Sequence, residues 1–301
     1  MVIRTTGDGA YDPYIYYSNK KGSIKSSDVV DGWVGGASLG LTSVETLVVP
    51  STTAANDPTV NAILGKATIV WIAGGDQSTY IKFWKGQTLE KTLNTLMAKN
   101  VPIGGTSAGL AVLGGFDYSA LNLSVTSQQA LLNPYHADIT FDPSPLSTSG
   151  GFVAPAVFKN TIMDSHLDGR DRMGRLVAFV ARLNSSCSGG VLANQAARGI
   201  GVGEQAALLV EGNGTTFTGK RVTNKTSTTP SAVYFVHETM APTRCVTGQP
   251  LETPTSSIEI QKLGINDTVF DLTNWQGLTS ALPKNMVYTS GGVLYPNPYP
   301  Y

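Results

Sequence analysis

Short apolar runs alternate with helical patterns over the first hundred residues. The runs SVETLVV (43–49) and ATIVWIA (67–73) have the length and apolar character of buried strands. Between them, NDPTVNAIL (56–64) places a capping residue directly before Pro58, as is common where helices begin. This alternation predicts βαβ units, and therefore a parallel sheet that is covered on both faces.

Helical and strand patterns continue downstream. The segment QTLEKTLNTLMAKN predicts a helix with Leu89, Leu93, Leu96 and Met97 on one face. The run VPIGG follows as a short strand. Residues 116–150 show little periodicity and predict a long loop with one hairpin. A further helix is predicted from the spacing of Leu176, Phe179, Val180 and Leu183.

The remaining sequence is dominated by strand patterns. GIGVGEQAALLVEG (199–212) predicts two strands that pivot at Gly203-Glu204, and the final 90 residues combine strands and turns. The clearest of these strands are GTTFTGKRVT and SAVYFVH. We find no internal repeat and no linker that requires a second domain.

The charge balance excludes some classes of partner. Lys+Arg 21 equals Asp+Glu 21, so neither nucleic acid nor an anionic membrane surface is an expected partner. No apolar run approaches the roughly 20 residues that span a bilayer, and MVIRTTGDGAYDPY has no signal segment. Cys187 and Cys245 could form a disulfide, remain buried thiols, or occur by chance. The five N-x-S/T sites favour a secreted protein, with a cytoplasmic one as the alternative, and lie at Asn122, Asn184, Asn213, Asn224 and Asn266.

The segment KNVPIGGTSAGLAVLGG surrounds Ser107 with glycines and alanines. Residues 105–109 fit G-x-S-x-G, in which a serine occupies a strained strand-to-helix turn and small neighbours let the backbone bend. The N–H that follows, on Ala108, would point towards a developing oxyanion. A plain glycine-rich turn is the alternative. Asp76 and Gln77, in GGDQ, follow a parallel strand at the edge where open α/β sheets bind ligands, or form a simple turn.

A serine nucleophile needs a base and an acid. Of the three histidines, His136 lies in a proline-rich loop and His237 ends an apolar run, where structural roles are favoured. His166 lies in MDSHLDGRDRMGRL beside Asp164, which is too close in sequence for a dependable acid. Glu204 is the one carboxylate in an apolar stretch and so needs a partner, unless it is exposed at a strand bend.

Three arginines precede the helix predicted from Leu176 onward, at positions 170, 172 and 175. Cations are disfavoured at a helix N-terminus, because the helix dipole is already positive there. An anionic substrate or a buried carboxylate would account for them, whereas a solvated helix start is the alternative.

Four motifs together resemble one family. IAGGDQSTY, GGTSAGLAVLGG, MDSHLDGRDRMGRL and GIGVGEQAALLV have the order and spacing of cyanophycinase-like serine peptidases. With RTTGDGAYDPYIYY and SVETLVV, the resemblance covers most of residues 2–252. The chain is thus similar to peptidase family S51, which also includes the aspartyl dipeptidases.

The resemblance implies an α/β fold of the flavodoxin-like type. This is a three-layer sandwich with a mostly parallel sheet, similar to class I glutamine amidotransferases with serine in place of the elbow cysteine. We expect residues 1–212 to form the peptidase core and residues 213–301 a β-rich C-terminal region packed on the same domain. Family members begin with an extra strand and glycine-rich turn ahead of the segment matching MVIRTT, so we expect the core to lack that first strand.

The resemblance also implies roles for individual residues. Ser107 would be the nucleophile, His166 the base and Glu204 the acid, and the N–H groups of Gly75 and Ala108 would form the oxyanion hole. The substrate would be cyanophycin, an aspartate polymer with arginine on each β-carboxylate, or a related β-aspartyl peptide. Arginines bind carboxylates bidentately, and an acidic residue can hold a substrate arginine. No metal or organic cofactor is expected, and a homodimer is one option for assembly. The substrate-binding residues would be Gln77, Asp164, Arg170, Arg172 and Arg175.

Two positions depart from the family pattern. Where the family has D-Q-H, this sequence has Asp164-Ser165-His166, and the loss of the glutamine bears on specificity more than on catalysis. Gly203 replaces the aspartate that usually precedes the glutamate. An isoaspartyl dipeptidase and a non-catalytic relative that binds acidic peptides are the alternatives. An α/β-hydrolase esterase is disfavoured, because its chain order is serine, acid, histidine.

Overall fold

A computed structural model describes residues 1–17, 34–148, 150–223, 231–264, 269–277, 282 and 284–301. The chain divides into two compact units. The first comprises Met1–Gly109, and the second comprises Leu110–Thr223 together with 231–301. Within the described ranges, no helix is long and apolar enough to cross a membrane.

The first unit contains a parallel sheet of four strands among its described residues, in the order β2-β1-β3-β4. This confirms the predicted α/β class. The strands are β1 (Val2–Arg4), β2 (Thr46–Val48), β3 (Val70–Ile72) and β4 (Ile103–Gly105). The helices are α1 (Asp12–Tyr16), α2 (Thr52–Asn56), α3 (Pro58–Leu64), α4 (Gln77–Trp84) and α5 (Thr88–Ala98), with a 3-10 turn at Gly36–Leu39. The short α6 (Ala108–Ala111) begins in the first unit and ends in the second.

Local sequence explains why these helices form where they do. The Asp57 carboxylate accepts hydrogen bonds from the N–H groups of Thr59 and Val60, and Pro58 takes the first position of α3. In α5, Leu89 and Leu93 are fully buried, as the helical spacing predicts. The apolar face of α5 is therefore buried in the core of the first unit.

The second unit is β-rich. It begins with β5 (Asp117–Tyr118), α7 (Ser127–Leu132), β6 (Phe141–Asp142), a 3-10 turn at Ala156–Phe158, β7 (Thr161–Ser165) and α8 (Met173–Leu183). It continues with β8 (Arg198–Val202), β9 (Ala206–Gly212), β10 (Phe217–Thr223), β11 (Val233–Glu238), β12 (Ile258–Leu263), β13 (Phe270–Asp271), β14 (Gln276–Gly277), β15 (Lys284–Ser290) and β16 (Val293–Tyr295).

A mixed sheet organises this unit, with the order β16-β15-β12-β11-β8-β7 in the part of the chain that the structure describes. The pair β7–β8 is parallel, with Ser165 opposite Val202, and the other pairs are antiparallel. Helix α8 packs on this sheet, and Leu176 and Phe179 are fully buried in its core. Strands on both sides of residue 212 share the sheet, so the predicted C-terminal region is joined to β7 and β8 by hydrogen bonds.

The segment 116–150 contains more structure than its sequence predicts. The strands β5 and β6 pair antiparallel, but α7 lies between them, so the pair is not the hairpin that the sequence predicts. A reciprocal capping box starts α7, with Thr126 and Gln129 each bonding the other's backbone. Six residues are too few to display a 3.6-residue period, so only the capping pattern could have indicated this helix.

Cys187 and Cys245 form a disulfide that closes a loop across 58 positions of sequence. It ties the turn after α8 to the segment that follows β11. Asn184, one of the five N-x-S/T sites, is fully buried and donates its side-chain amide to Glu238 at 2.8 Å. It is therefore closed to glycosylation in the folded chain. Asn224 and Asn266 lie outside the described residues.

Breaking this disulfide should destabilise the second unit. A loop of this length corresponds to about 4 kcal/mol of unfolded-state entropy, and measured losses usually lie between about 2 and 4 kcal/mol. We expect the double variant Cys187→Ser/Cys245→Ser to lose that much free energy of unfolding in urea titrations. Reductant should affect wild type and leave the double variant unchanged, and equal stability of the two proteins would contradict the expectation.

A second prediction concerns Glu238, which is 1% exposed. Burial raises the pKa of its carboxyl from the ordinary 4.5 to about 7, against the opposing hydrogen bond from Asn184. The folded state therefore holds a proton that the unfolded state releases above about pH 4.5. The free energy of unfolding that Glu238 contributes therefore falls by about 3 kcal/mol between about pH 4.5 and about pH 7. It is constant at higher pH.

Urea unfolding at about pH 5 and about pH 8 tests this sign against Glu238→Gln, which cannot titrate. We expect wild type to lose stability relative to the variant as the pH rises. A constant difference between the two proteins would show that Glu238 ionises normally.

Candidate active site

Ser107 lies in a sharp turn between β4 and α6. Its φ is 51°, in the left-handed region that non-glycine residues rarely adopt. Gly109 donates its N–H to the carbonyl of Thr106 at 2.8 Å, which closes the turn. The strand-to-helix turn expected from G-x-S-x-G is present, with the serine at its strained position.

Gly109 allows the turn to approach the neighbouring strand. A Cβ at this position would lie 2.7 Å from the carbonyl carbon of Ile72 and 2.9 Å from the carbonyl oxygen of Ala73. No side chain fits against backbone at those distances. The second glycine of the motif is therefore required by the approach of the elbow to the end of β3.

The Gly74-Gly75 turn lies beside the elbow in the first unit. β3 and β4 are parallel neighbours, so the turns that follow them share one edge of the sheet. A Cβ at Gly74 would lie 3.3 Å from the Cβ of Ser107. Gly75 has a φ of 156°, and the Tyr80 hydroxyl fixes the same turn by donating to the carbonyl of Ala73 at 2.7 Å.

Helix α4 begins directly after this turn. Asp76 is its N-cap and accepts the N–H of Ser78 at 2.9 Å, and Gln77 is the first helical residue. Burial raises the pKa of Tyr80 to about 12, so its hydroxyl remains a donor at neutral pH. Gln77 thus stands beyond the carboxyl end of β3, and its substrate-binding role remains a prediction.

His166 and Glu204 contact each other in the second unit. His166 follows β7 and Glu204 lies two residues beyond β8, and these strands are parallel neighbours. Nδ1 of the imidazole lies 2.7 Å from Oε1 of the carboxylate. The φ of His166 is 53°, which turns the chain out of the strand. Parallel pairing therefore brings together two residues that are separated by 38 positions.

This contact selects one tautomer of the imidazole. A carboxylate accepts hydrogen bonds, so Nδ1 carries the proton and Nε2 has the lone pair in the neutral ring. The side chains of His166 and Glu204 are 24% and 50% exposed, so both reach solvent. A carboxylate that holds one imidazole nitrogen leaves the other free to act as a base, so this contact is compatible with the roles expected for His166 and Glu204, which remain predictions.

Asp164 and Arg175 form an ion pair inside the second unit. Nε of Arg175 lies 2.6 Å from Oδ2, and a second nitrogen lies 2.7 Å from Oδ1. Both side chains are 3% exposed. Burial alone would lower the pKa of Arg175, but the attraction of Asp164 and its hydrogen bonds outweigh burial and raise that pKa. In the structure the two residues are therefore partners of each other. The substrate-binding roles expected for them remain predictions.

The other two arginines differ in exposure. Arg172 donates to the carbonyl of Ser165 at 2.9 Å and lies 3.6 Å from Asp164. Burial lowers its pKa to about 10, with the charge of Asp164 opposing the change. Arg170 is exposed. The buried carboxylate at Asp164 therefore accounts for Arg172 and Arg175 near the start of α8, and Arg170 is the arginine that faces solvent.

The start of α8 is capped by a residue that the sequence analysis did not identify. Its N-cap, Arg172, makes no capping bond among the described residues. Instead, the N–H of Met173 donates to the hydroxyl of Tyr301 at 2.9 Å, and that hydroxyl donates to Asp171 at 2.8 Å. The loop that carries His166 is thus joined to the last residue of this sequence. No local pattern could have indicated a contact across 128 positions.

The other two histidines make local contacts. His136 lies 3.6 Å from the carboxylate of Asp138, and His237 shares a 3.1 Å hydrogen bond with the carbonyl of Gln195. Burial, with the nearby charge of Arg198, lowers the pKa of His237. Both residues match the structural roles expected for them. In the described part of the chain, no group of three or more His, Cys, Asp or Glu side chains could hold a metal ion.

The predicted site residues therefore fall into two groups. The first unit holds Gly75, Gln77, Ser107 and Ala108, the last as the first residue of α6. The second unit holds His166, Glu204, Asp164, Arg170, Arg172 and Arg175.

Comparison with known proteins identifies one similar solved structure that we describe and one family model. The crystal structure of a peptidase from an acI-B1 Actinobacterium is similar at 14% identity and a TM-score of 0.38, over 69% of this chain and 66% of that one. No curated protein matches. Residues 37–122 match the sequence model of peptidase family S51, and this segment contains the Gly74-Gly75 turn and Ser107.

Proposed function

We propose that this protein is a serine peptidase that hydrolyses β-aspartyl peptides. The elbow carries the proposal: Ser107 has a left-handed backbone in a G-x-S-x-G turn, inside the segment that matches peptidase family S51. The contact between His166 and Glu204 supports it, because a serine hydroxyl needs an oriented base.

The proposed reaction proceeds through an acyl-enzyme. The Ser107 oxygen attacks the peptide carbonyl carbon while Nε2 of His166 takes the hydroxyl proton. The N–H groups of Gly75 and Ala108 stabilise the oxyanion. The imidazolium then gives its proton to the leaving amine. Water attacks the ester with His166 as base again, which releases the acid and restores Ser107. Glu204 holds the Nδ1–H throughout.

The flavodoxin-like fold belongs to this proposal. The order β2-β1-β3-β4 is that of the first four strands in the doubly wound order 2-1-3-4-5. In such sheets ligands bind beyond the carboxyl ends of the strands, and the Gly74-Gly75 and Ser107 turns follow β3 and β4. This supports placing the substrate carbonyl at that edge.

A cationic side chain near His166 supports an anionic substrate. Arg170 is exposed four residues after the histidine, whereas the Arg172 side chain is 14% exposed and lies 3.6 Å from Asp164. A β-aspartyl peptide retains a free carboxylate beside its scissile bond, which a guanidinium can bind through two hydrogen bonds. In an isoaspartyl dipeptide this group is the α-carboxylate of the aspartyl residue. In cyanophycin both aspartyl carboxyls are in amide bonds, and the free carboxylate at each residue belongs to the attached arginine, which a guanidinium can bind in the same way. We therefore propose cyanophycin as the substrate, with isoaspartyl dipeptides as the second candidate.

Substituting the nucleophile tests the mechanism and the substrate together. We expect wild type to release arginine-containing dipeptides from cyanophycin, and Ser107→Ala to lower kcat at least about 10³-fold. Glu204→Gln should lower kcat about 10- to 10³-fold, because the amide no longer selects the right tautomer. Ser186→Ala, at an exposed serine, is the matched control and should match wild type. A fluorophosphonate probe should label Ser107 alone.

Each departure from these results has a separate meaning. Equal dipeptide release by wild type and Ser107→Ala would exclude Ser107 as the nucleophile. Labelling of Ser107 without release from cyanophycin, but with cleavage of isoaspartyl dipeptides, would correct the substrate only. Neither labelling nor cleavage would contradict catalysis and favour a relative that binds acidic peptides.

A further inference from the structure

A carboxylate outside the predicted site joins the two turns that carry His166 and Glu204. Oδ1 of Asp168 accepts the N–H of Gly169 at 2.8 Å and the N–H of Glu204 at 2.9 Å. Asp168 lies two residues after His166. One oxygen atom therefore connects the turn after β7 with the turn after β8.

This connection lies beyond the point where the hydrogen bonds of the sheet hold β7 and β8 in register. The parallel ladder ends at Ser165 and Val202. Beyond it, His166 and Gln205 both have a left-handed φ, of 53° and 61°. The N–H of Leu167 still donates to Val202 at 3.2 Å, which is long for such a bond. The backbone of Glu204 is thus fixed towards the histidine turn by Asp168.

The side chain of Glu204 needs this support because it is half exposed. Water competes for an exposed carboxylate, and a free glutamate samples several rotamers. A fixed backbone at residue 204 reduces the volume that the carboxylate can reach. The hydrogen bonds to Asp168 are charge-assisted, and these are about twice as strong as neutral ones.

Two glycines show that the turns pack closely around this contact. A Cβ at Gly203 would lie 2.5 Å from Oδ2 of Asp168 and would also collide with the Ser231 hydroxyl. A Cβ at Gly169 would lie 2.8 Å from the carboxyl carbon of Glu204. Each turn therefore leaves space for the carboxylate of the other, which fits a preorganised pair and not a chance contact.

We propose that Asp168 is a positioning residue, which holds Glu204 where its carboxylate meets Nδ1 of His166. This inference rests on the proposed function, since it gives that contact a catalytic purpose. Asp168 acts through the backbone of residue 204 and takes no part in bond making. Its loss should lower kcat more than it alters KM, because the imidazole loses its orientation while the substrate contacts remain.

Three variants test the proposal. Asp168→Ala removes the acceptor, and we expect kcat to fall about 10- to 100-fold with KM changed less than about 3-fold. Asp168→Asn keeps a carbonyl oxygen in place, so kcat should stay within about 5-fold of wild type. Asp138→Ala removes a half-buried aspartate beside another histidine and should match wild type.

A readout independent of activity comes from proton NMR. A histidine Nδ1–H bonded to a carboxylate gives a far-downfield resonance, which His166→Ala identifies by its loss. We expect Asp168→Ala to broaden or abolish this signal and Asp168→Asn to retain it. If Asp168→Ala does not fold, Asp168→Asn decides, since its weaker hydrogen bonds should still reduce kcat about 2- to 5-fold.

A wild-type resonance together with wild-type kcat in Asp168→Ala would overturn the positioning role. A resonance that depends on Asp168 in a protein that cleaves neither cyanophycin nor isoaspartyl dipeptides would uphold the role and refute the proposed function. The two failures are thus distinguishable.

Discussion

The ion pair between Asp164 and Arg175 supports the part of the second unit that carries His166. It joins β7 to the first turn of α8, with two hydrogen bonds and almost no exposure of either side chain. A buried charge without its partner is strongly unfavourable, so the two elements are held together at this point. His166 lies two residues beyond the carboxylate, and its turn begins from a strand end that the pair fixes. The same carboxylate accounts for Arg172 and Arg175, two of the cations that conflict with the dipole of α8.

The features that the sequence predicted are those set by local geometry. The tight turn at Ser107 needs small neighbours, and the close approach of position 109 to β3 requires a glycine there. The motif G-x-S-x-G can therefore be recognised in the sequence. Asp57 and Pro58 mark the start of α3 in the same way. The alternation of strands and helices in the first unit follows from side-chain periodicity, which a single sequence displays directly.

The features that local sequence patterns could not predict depend on distant pairing. The contact between His166 and Glu204 was expected only from the family resemblance; it exists because β7 and β8 pair in parallel with Ser165 opposite Val202, and nothing near either residue encodes that register. The sequence leaves open whether a buried carboxylate accounts for Arg172 and Arg175, and names Asp164 only as a substrate group. The cap that Tyr301 supplies to α8 joins residues that are 128 positions apart in the sequence. A motif can therefore identify reactive residue types, whereas their partners follow from the topology.

The carboxylate of Asp168 occupies the space that a side chain at position 203 would need. In a lineage that descends from this sequence, most substitutions at position 203 would displace the carboxylate of Asp168 before anything replaced its two hydrogen bonds. Position 168 would have to change first, or both together, so the order of tolerated mutations is constrained. Related sequences should consequently show these two positions changing as a pair: glycine where residue 168 is acidic, and a larger residue only where it is not.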